Sequence, residues 1–201
     1  MPKPDVSETR RAQIIKAAIA VFLRQGYHKT NMPDIARQAG LSIGGVYWYF
    51  KSKNDIITHI LEQIYQADLK ALDQLLVSDT PAPQRVRAYL HQYIEDYQQF
   101  SWLNFIGIQF YGEAMYDPHI QEFIQAYFGR YRQALAALIQ QGIERGEFKP
   151  VNPQVLANVL IALDEGLSLL LATDPQNSTW KESFMTGAEL LLAGLSTHPN
   201  P

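Results

Sequence analysis

Apolar residues along this chain recur at spacings of three and four, and no stretch alternates singly for the length of a strand. The pattern predicts an all-α protein of about nine helices. The first follows Ser7 as its cap, buries Ile14, Ile15, Ala18, Val21 and Phe22, and ends at Gly26. A second is predicted over 31–39, where Asn31 caps, Asp34 suits the positive helix end, Pro33 fits the first turn and Gly40 supplies the left-handed stop. Ser42 then caps a short helix to about residue 50, so two short helices meet across a glycine turn, a helix-turn-helix. Val46 and Phe50 share one face of it, and Ile43, Gly44 and Tyr47 share another that is offered outward.

Ser52 and Asp55 have capping-box spacing and open a long helix over 53–76, whose Ile56, Ile57, Ile60, Leu61, Ile64, Leu69 and Leu72 can pack on both the head before it and the body after it. The run Ser-Asp-Thr-Pro-Ala-Pro at 78–83 is a loop signal, and two helices are expected after it, over 84–99 and 102–116. Asp117-Pro118 opens the next, which Gly146 closes; Asn152-Pro153 opens another to about residue 173, and the last covers 180–195. Residues 1–6 and the polar tail after 195 are expected to lack structure. The natural division is a helix-turn-helix unit, 1–52, and a larger helical unit, 53–201.

The residues of the first unit carry a resemblance. An Ile35-Ala36 pair, the turn Ala39-Gly40-Leu41-Ser42, the run Tyr47-x-Tyr49-Phe50 and then Lys53 resemble the DNA-binding domain of the tetracycline-repressor (TetR) family of bacterial regulators, over roughly residues 7–57. The resemblance implies a homodimer that binds a palindromic double-stranded DNA operator, most often as a repressor, and that leaves it when a small-molecule effector occupies the C-terminal domain. It also implies that Tyr47, Tyr49 and Lys53 contact the DNA backbone. Residues 117–171, with a Gly-x-x-x-Gly-x-Phe turn and then Leu-Asp-Glu-Gly-Leu, are similar to regulators of the choline-responsive repressor type.

Charge agrees with a nucleic-acid partner at one end. The net charge is −3, yet residues 1–55 hold nine Lys/Arg against four Asp/Glu while the remainder holds eight against sixteen, a basic head on an acidic body. There is no cysteine, and the first residues carry no apolar core of the signal-peptide kind, so a reducing cytoplasm is expected. The longest apolar run, 155–172, is interrupted by Asn158, Asp164 and Glu165, and no membrane partner is expected. The motifs Gly-x-Ser-x-Gly, His-Glu-x-x-His and Gly-x-Gly-x-x-Gly are all missing, which argues against an enzyme, and no cofactor or metal site is expected.

Candidate DNA contacts are Thr30, Ser42, Ile43, Gly44, Gly45, Tyr47, Tyr49 and Lys53, with Arg10, Arg11 and Lys29 as further cations. Gly44 and Gly45 are tolerable in a first turn but also permit close approach of DNA, the reading preferred here. Ile43 and Tyr47 suit thymine methyls, and Trp48 is expected to be partly buried. Thirteen of the 23 aromatics fall between Tyr89 and Tyr131, more bulk than a tight core uses, so an aromatic ligand cavity is expected, with Trp102, Phe105, Phe110, Tyr111, Glu113, Phe123 and Tyr127 as its candidate residues. Glu113, Asp164 and Glu165 are acids in apolar helices: they can balance a cationic ligand, or be exposed, or form a structural pair. The last two helices have apolar arcs too wide for one body, and Leu156, Leu160, Leu163, Leu167, Leu191 and Leu195 are the expected homodimer interface, a four-helix bundle. The competing function is a DNA-organising or scaffold helical protein without ligand control.

Overall fold

The computed structural model describes residues 6–197, with the side chains of 6, 95–105 and 109 excepted. The expectations for residues 1–5 and for the last four residues lie outside the described residues. Eight helices are present among the described residues: α1 Val6–Gln25, α2 Met32–Ala39, α3 Ile43–Tyr49, α4 Lys53–Leu76, α5 Ala82–Ala114, α6 Pro118–Glu144, α7 Pro153–Thr173 and α8 Trp180–Leu195. The local signals act as expected. Asn31, Ser42, Ser52, Asp117 and Asn152 each accept a backbone N–H from the first turn of the adjoining helix. Gly40 (φ 67°) and Gly146 (φ 71°) are left-handed, and the N–H groups of Leu41 and Glu147 reach back to Ala36 and Gly142, closing α2 and α6 in the Schellman manner.

Two expectations need correction. Ser7 lies inside α1, which already includes Val6, so it is not that helix's cap. The two helices expected over 84–99 and 102–116 are one continuous helix, α5, of 33 residues. The apolar pattern changes phase near residue 100, but neither Gly nor Pro stands there to interrupt the hydrogen-bond ladder, and the backbone obeys the ladder rather than the pattern.

One core joins the head to the body. Ile14, Phe22, Ile35, Val46, Phe50, Ile56 and Ile57 pack with Ile106 and Phe110 of α5 and Ile120 of α6, so α4 is buried on both sides of residue 60. A second cluster joins Leu69 and Leu72 to Tyr131, Leu135 and Ile139 of α6 and Ala157 of α7. At the far end of α4, buried Arg85 donates to the Leu75 carbonyl and Gln141 Nε2 donates to the Leu76 carbonyl at 3.1 Å, so the last turn of α4 is held by side chains from α5 and α6. The Phe148 ring sits where a Cβ on Gly142 would be, and that contact fixes the turn between α6 and α7. By length and composition α7 is the one helix among the described residues apolar enough to cross a membrane; it packs along α6 and carries Asp164 and Glu165 at its middle.

Candidate functional site

The head presents α3. Val46 and Phe50 are buried, which fixes the helix by one face and turns Ser42, Ile43, Gly44, Tyr47 and Trp48 outward. Trp48 is 79% exposed, against the expectation of packing, because in a helix of seven residues the buried side is already filled by Val46 and the flanking Phe50. The two glycines differ. A Cβ on Gly45 would come 3.1 Å from the capping hydroxyl of Ser42, an internal constraint, whereas a Cβ on Gly44 would meet nothing within the chain, which leaves its backbone open to solvent. No charged side chain lies on α3; the cations surround it. Arg11 stands over the rings of Tyr49 and Phe50 at 5.8 and 5.5 Å, and Lys51 Nζ is 3.3 Å from the Tyr47 carbonyl.

Lys53 is half-buried and works inside the head. Its ammonium donates to the carbonyls of Tyr27 and His28 at 2.9 and 3.3 Å and lies 4.4 Å from the Tyr27 ring, and burial lowers its pKa. Two of its three donors are therefore committed to the turn after α1. Thr30 is corrected: it is 3% exposed and its hydroxyl donates to the Gly26 carbonyl at 2.7 Å, out of reach of a phosphate. The same turn docks on the body. Tyr27 donates to Asn54, Asn54 Nδ2 donates to Asp117 at 3.3 Å, and His28 Nδ1 lies 3.1 Å from Glu113 Oε1. Glu113 is thus a joint between head and body rather than a cavity residue.

The body holds a cavity of about 440 Å³ between α4, α5, α6 and α7. Its described aromatic walls are all tyrosines, at 65, 89, 93, 111, 127 and 131, and its acids are Asp68, Asp164 and Glu165. Tyr93 donates to Asp164 at 2.8 Å, Tyr111 to Glu165 at 3.2 Å, and the Tyr89 and Tyr131 hydroxyls are 3.1 Å apart. Burial pushes Asp164 up to about 6 against the Tyr93 hydrogen bond, and burial together with the neighbouring Asp164 charge pushes Glu165 up to about 7. The hydroxyls of Tyr111, Tyr127 and Tyr131 are raised well above their ordinary range, by burial first and then by neighbouring tyrosines and these acids.

The profile of bacterial regulatory proteins of the tetR family matches residues 14–60, and that of the BetI-type transcriptional repressor C-terminal domain matches residues 82–186, more than half of the chain. The chain belongs to the TetR family. It is similar to an uncharacterised HTH-type transcriptional regulator, YfiR, of Bacillus subtilis, 26% identical over 80% of this chain and 78% of that one. It is also similar to the HTH-type regulator BetI of Yersinia pestis, 26% identical over 92% of each. A transcriptional regulator of Saccharomonospora viridis, solved in complex with choline, superposes with a TM-score of 0.78 at 21% identity over 95% of this chain and all of that one. As a TetR-family regulator the chain is a DNA-binding protein of transcription and not an enzyme.

Within that family fold, the expected ligand residues divide. Tyr111 and Tyr127 line the cavity. Phe110 is fully buried in the shared core, its ring 6.5 Å from Tyr27 and 6.4 Å from Phe123, and Phe123 packs behind the wall on Tyr65, so neither faces a ligand. Trp102 and Phe105 lie outside the described side chains. Of the acids weighed against a cationic ligand, Asp164 and Glu165 line the cavity. The missed residues are the other four tyrosines and Asp68, and the available signal was hydroxyl placement: Tyr89/Tyr93 and Tyr127/Tyr131 are pairs four apart on one helix face. The expected interface leucines are all half-buried within the chain: Leu156 and Leu160 pack partly against the second cluster, Leu195 against that of Phe148, and Leu163 faces Gly187. The apolar face open to solvent is Val155, Val159, Leu169 and Leu170 on α7 with Leu190 on α8.

Proposed function

We propose that this chain is a ligand-responsive repressor that works in the bacterial cytoplasm as a homodimer on an inverted-repeat operator, and that a small organic effector entering the tyrosine-walled cavity releases the DNA. Residues 1–52 and 53–201 act as its two functional units, with α4 shared between them. The single observation that carries the reading is the placement of α4: its first turn is tied to the α1–α2 turn through Lys53 and Asn54, and its distal half supplies Tyr65 and Asp68 to the cavity. A ligand that favours one tilt of α4 therefore changes the spacing of two recognition helices, which must reach successive major grooves about 34 Å apart.

On the DNA side, Ile43, Tyr47 and Trp48 read base edges and Gly44 lets the helix come close, while Ser42, Tyr49, Lys51, Arg11 and the remaining donor of Lys53 serve phosphates. The open face of α7 and α8 pairs with its copy in a four-helix bundle. The scaffold reading without ligand control has no use for a cavity with buried acids. The test selects operators from random DNA, then screens small molecules by thermal shift and measures operator affinity for each binder. Binders that lower operator affinity in proportion to their own affinity support the coupling; binders that leave it unchanged refute it.

A further inference from the structure

Successive residues of α7, Asp164 and Glu165, put two carboxylates into the lining of the cavity. Each is held by one neutral hydroxyl from α5. Tyr93 donates to Asp164 Oδ1 at 2.8 Å and Tyr111 to Glu165 Oε1 at 3.2 Å, and the second oxygen of each acid accepts no hydrogen bond from a described side chain. No Lys, Arg or His lines the cavity among the described residues. Asp68, the acid contributed by α4, is engaged by a partner within the chain.

The described rings do not form a cage of open faces. Tyr65 stacks on Tyr127 with centroids 3.4 Å apart and on Phe123 at 5.8 Å, and Tyr93 stacks on Phe184 at 5.6 Å, so these rings cover one another. A quaternary ammonium has no N–H, carries its charge behind methyl groups and depends on open ring faces. An N–H-bearing cation instead sets donors directly on carboxylate oxygens, in charge-assisted bonds roughly twice as strong as neutral ones. Beyond the acids much of the lining is apolar, with Leu61, Ile64, Ala67 and Ala71 from α4 and Ile108 from α5, and at about 440 Å³ the space takes a hydrophobic body as well as a head group.

From this geometry we infer that the cavity selects an amphipathic amine, a protonated primary or secondary nitrogen on an aryl or alkyl body, whose N–H groups bridge Asp164 and Glu165, and that it discriminates against quaternary ammonium groups. The inference rests on the effector reading above and names the ligand class of that site. The groups that face the acid pair are phenols, Tyr65 from α4, Tyr89, Tyr93 and Tyr111 from α5 and Tyr127 and Tyr131 from α6, together with Asp68 in the α4 part of the lining, and none of them supplies a positive charge. Burial holds Asp164 at about 6 and, with the Asp164 charge, Glu165 at about 7, so the pair keeps protons near neutral pH. An incoming ammonium takes the place of such a proton, which leaves to solvent, and the amine therefore binds more tightly as pH rises.

The probes are ω-phenylalkylamines of graded chain length, their N,N,N-trimethyl analogues and the matching ω-phenylalkanols, titrated calorimetrically into the full chain at pH 6 and pH 8 in buffers of different ionisation enthalpy. At the best chain length the amine should bind about tenfold or more tighter than either counterpart, more tightly at pH 8 than at pH 6, and with net proton release at pH 6. Asp164→Asn and Glu165→Gln, each checked by thermal melting, should each remove most of that preference; the comparison within the wild type stands whatever the stability of the variants. A trimethyl analogue or alcohol as tight as the best amine, an amine affinity that does not rise with pH, a preference that both substitutions leave intact, or no binding across the series overturns the inference. An amine bound with the expected preference that leaves operator affinity unchanged supports the ligand class and refutes the effector reading. A trimethyl analogue that binds more tightly than the amine and lowers operator affinity does the reverse.

Discussion

The two working ends of this molecule treat charge in opposite ways. The outward face of α3, the proposed reading helix, carries no charged side chain and presents Ile43, Tyr47, Trp48 and bare backbone at Gly44, with cations kept to its margin. The cavity, walled by rings and deep in the body, carries Asp164 and Glu165 at the cost of burying them. Phosphate attraction acts over a distance and needs only a basic surround, so the contact face is free to read shape and methyl groups. A buried acid has no such latitude, and its desolvation is offset only by a partner placed against it. Under the proposed function, one end would gain specificity from neutral surface, and the other from charge that destabilises the free protein.

The largest test of this contrast lies on the third surface, the open apolar face of α7 and α8. If that face is buried between copies, Leu170→Asp combined with Leu190→Asp places unpaired charge in an interface and costs about 3–5 kcal/mol per buried ion. Sedimentation should then show monomer, and operator affinity should fall by about two orders of magnitude or more. An unchanged dimer would move the interface elsewhere.

At the head, Trp48→Ala should weaken operator binding by about tenfold, some 1–3 kcal/mol, and leave the melting temperature unchanged, since the ring is almost wholly exposed. Val46→Ala on the opposite face should do the reverse, lowering stability through a cavity in the shared core. Equal effects of the two substitutions on stability and on binding would erase the distinction between reading face and packing face.

In the body, the signs of the pKa shifts fix the pH dependence. Asp164 and Glu165 are raised from 3.8 and 4.5 to about 6 and 7, so the folded state holds protons that the unfolded state has lost. Their penalty is absent below about pH 4, grows as pH rises through the interval and is complete above about 7, on the order of 3 kcal/mol for each acid. Thermal melts should therefore show stability falling from pH 5 to pH 8, and falling less in the Asp164→Asn, Glu165→Gln double variant. A steeper fall in the variant would mean that the acids are stabilised where they stand.

The smallest expected effect is at the joint. Glu113→Gln removes one partner of a pair whose His28 is largely exposed, and should cost under about 1 kcal/mol of stability. Its informative readout is the ratio of effector affinities with and without operator, because that ratio, unlike stability, reports how firmly the head moves with α4.

The range of the forces involved decides which features could be read from the sequence and which could not. Caps and stops depend on a few consecutive residues, and Asn31, Gly40, Ser42, Ser52, Asp117 and Asn152 act where the pattern put them. The recognition helix and its family resemblance were legible for the same reason. Rotation of a helix about its axis was not: a wide apolar arc on α7 fits Leu156 and Leu160 facing outward as well as Val155 and Val159, and packing on Tyr131 and Leu135 decides between them. The aromatic cluster announced a cavity, yet Phe110 went to the core and Tyr93 to the wall, a choice made by which ring has a hydroxyl to place on a distant acid. Thr30 and Glu113 looked free in sequence because their partners, Gly26 and His28, become neighbours only through a turn and through docking.

The unbroken α5 has a mechanical consequence. At about 50 Å it is a rod that passes the cavity at its middle and ends beside the turn after α1, where Glu113 meets His28. Pivoted at its start, such a rod needs to swing by only about 4° for its tip to travel some 3.4 Å, the rise of one base pair. In the proposed switch, a shift of under about 2 Å where a ligand presses on the middle would be amplified to a full step along the operator, and the length of one helix would set the gain.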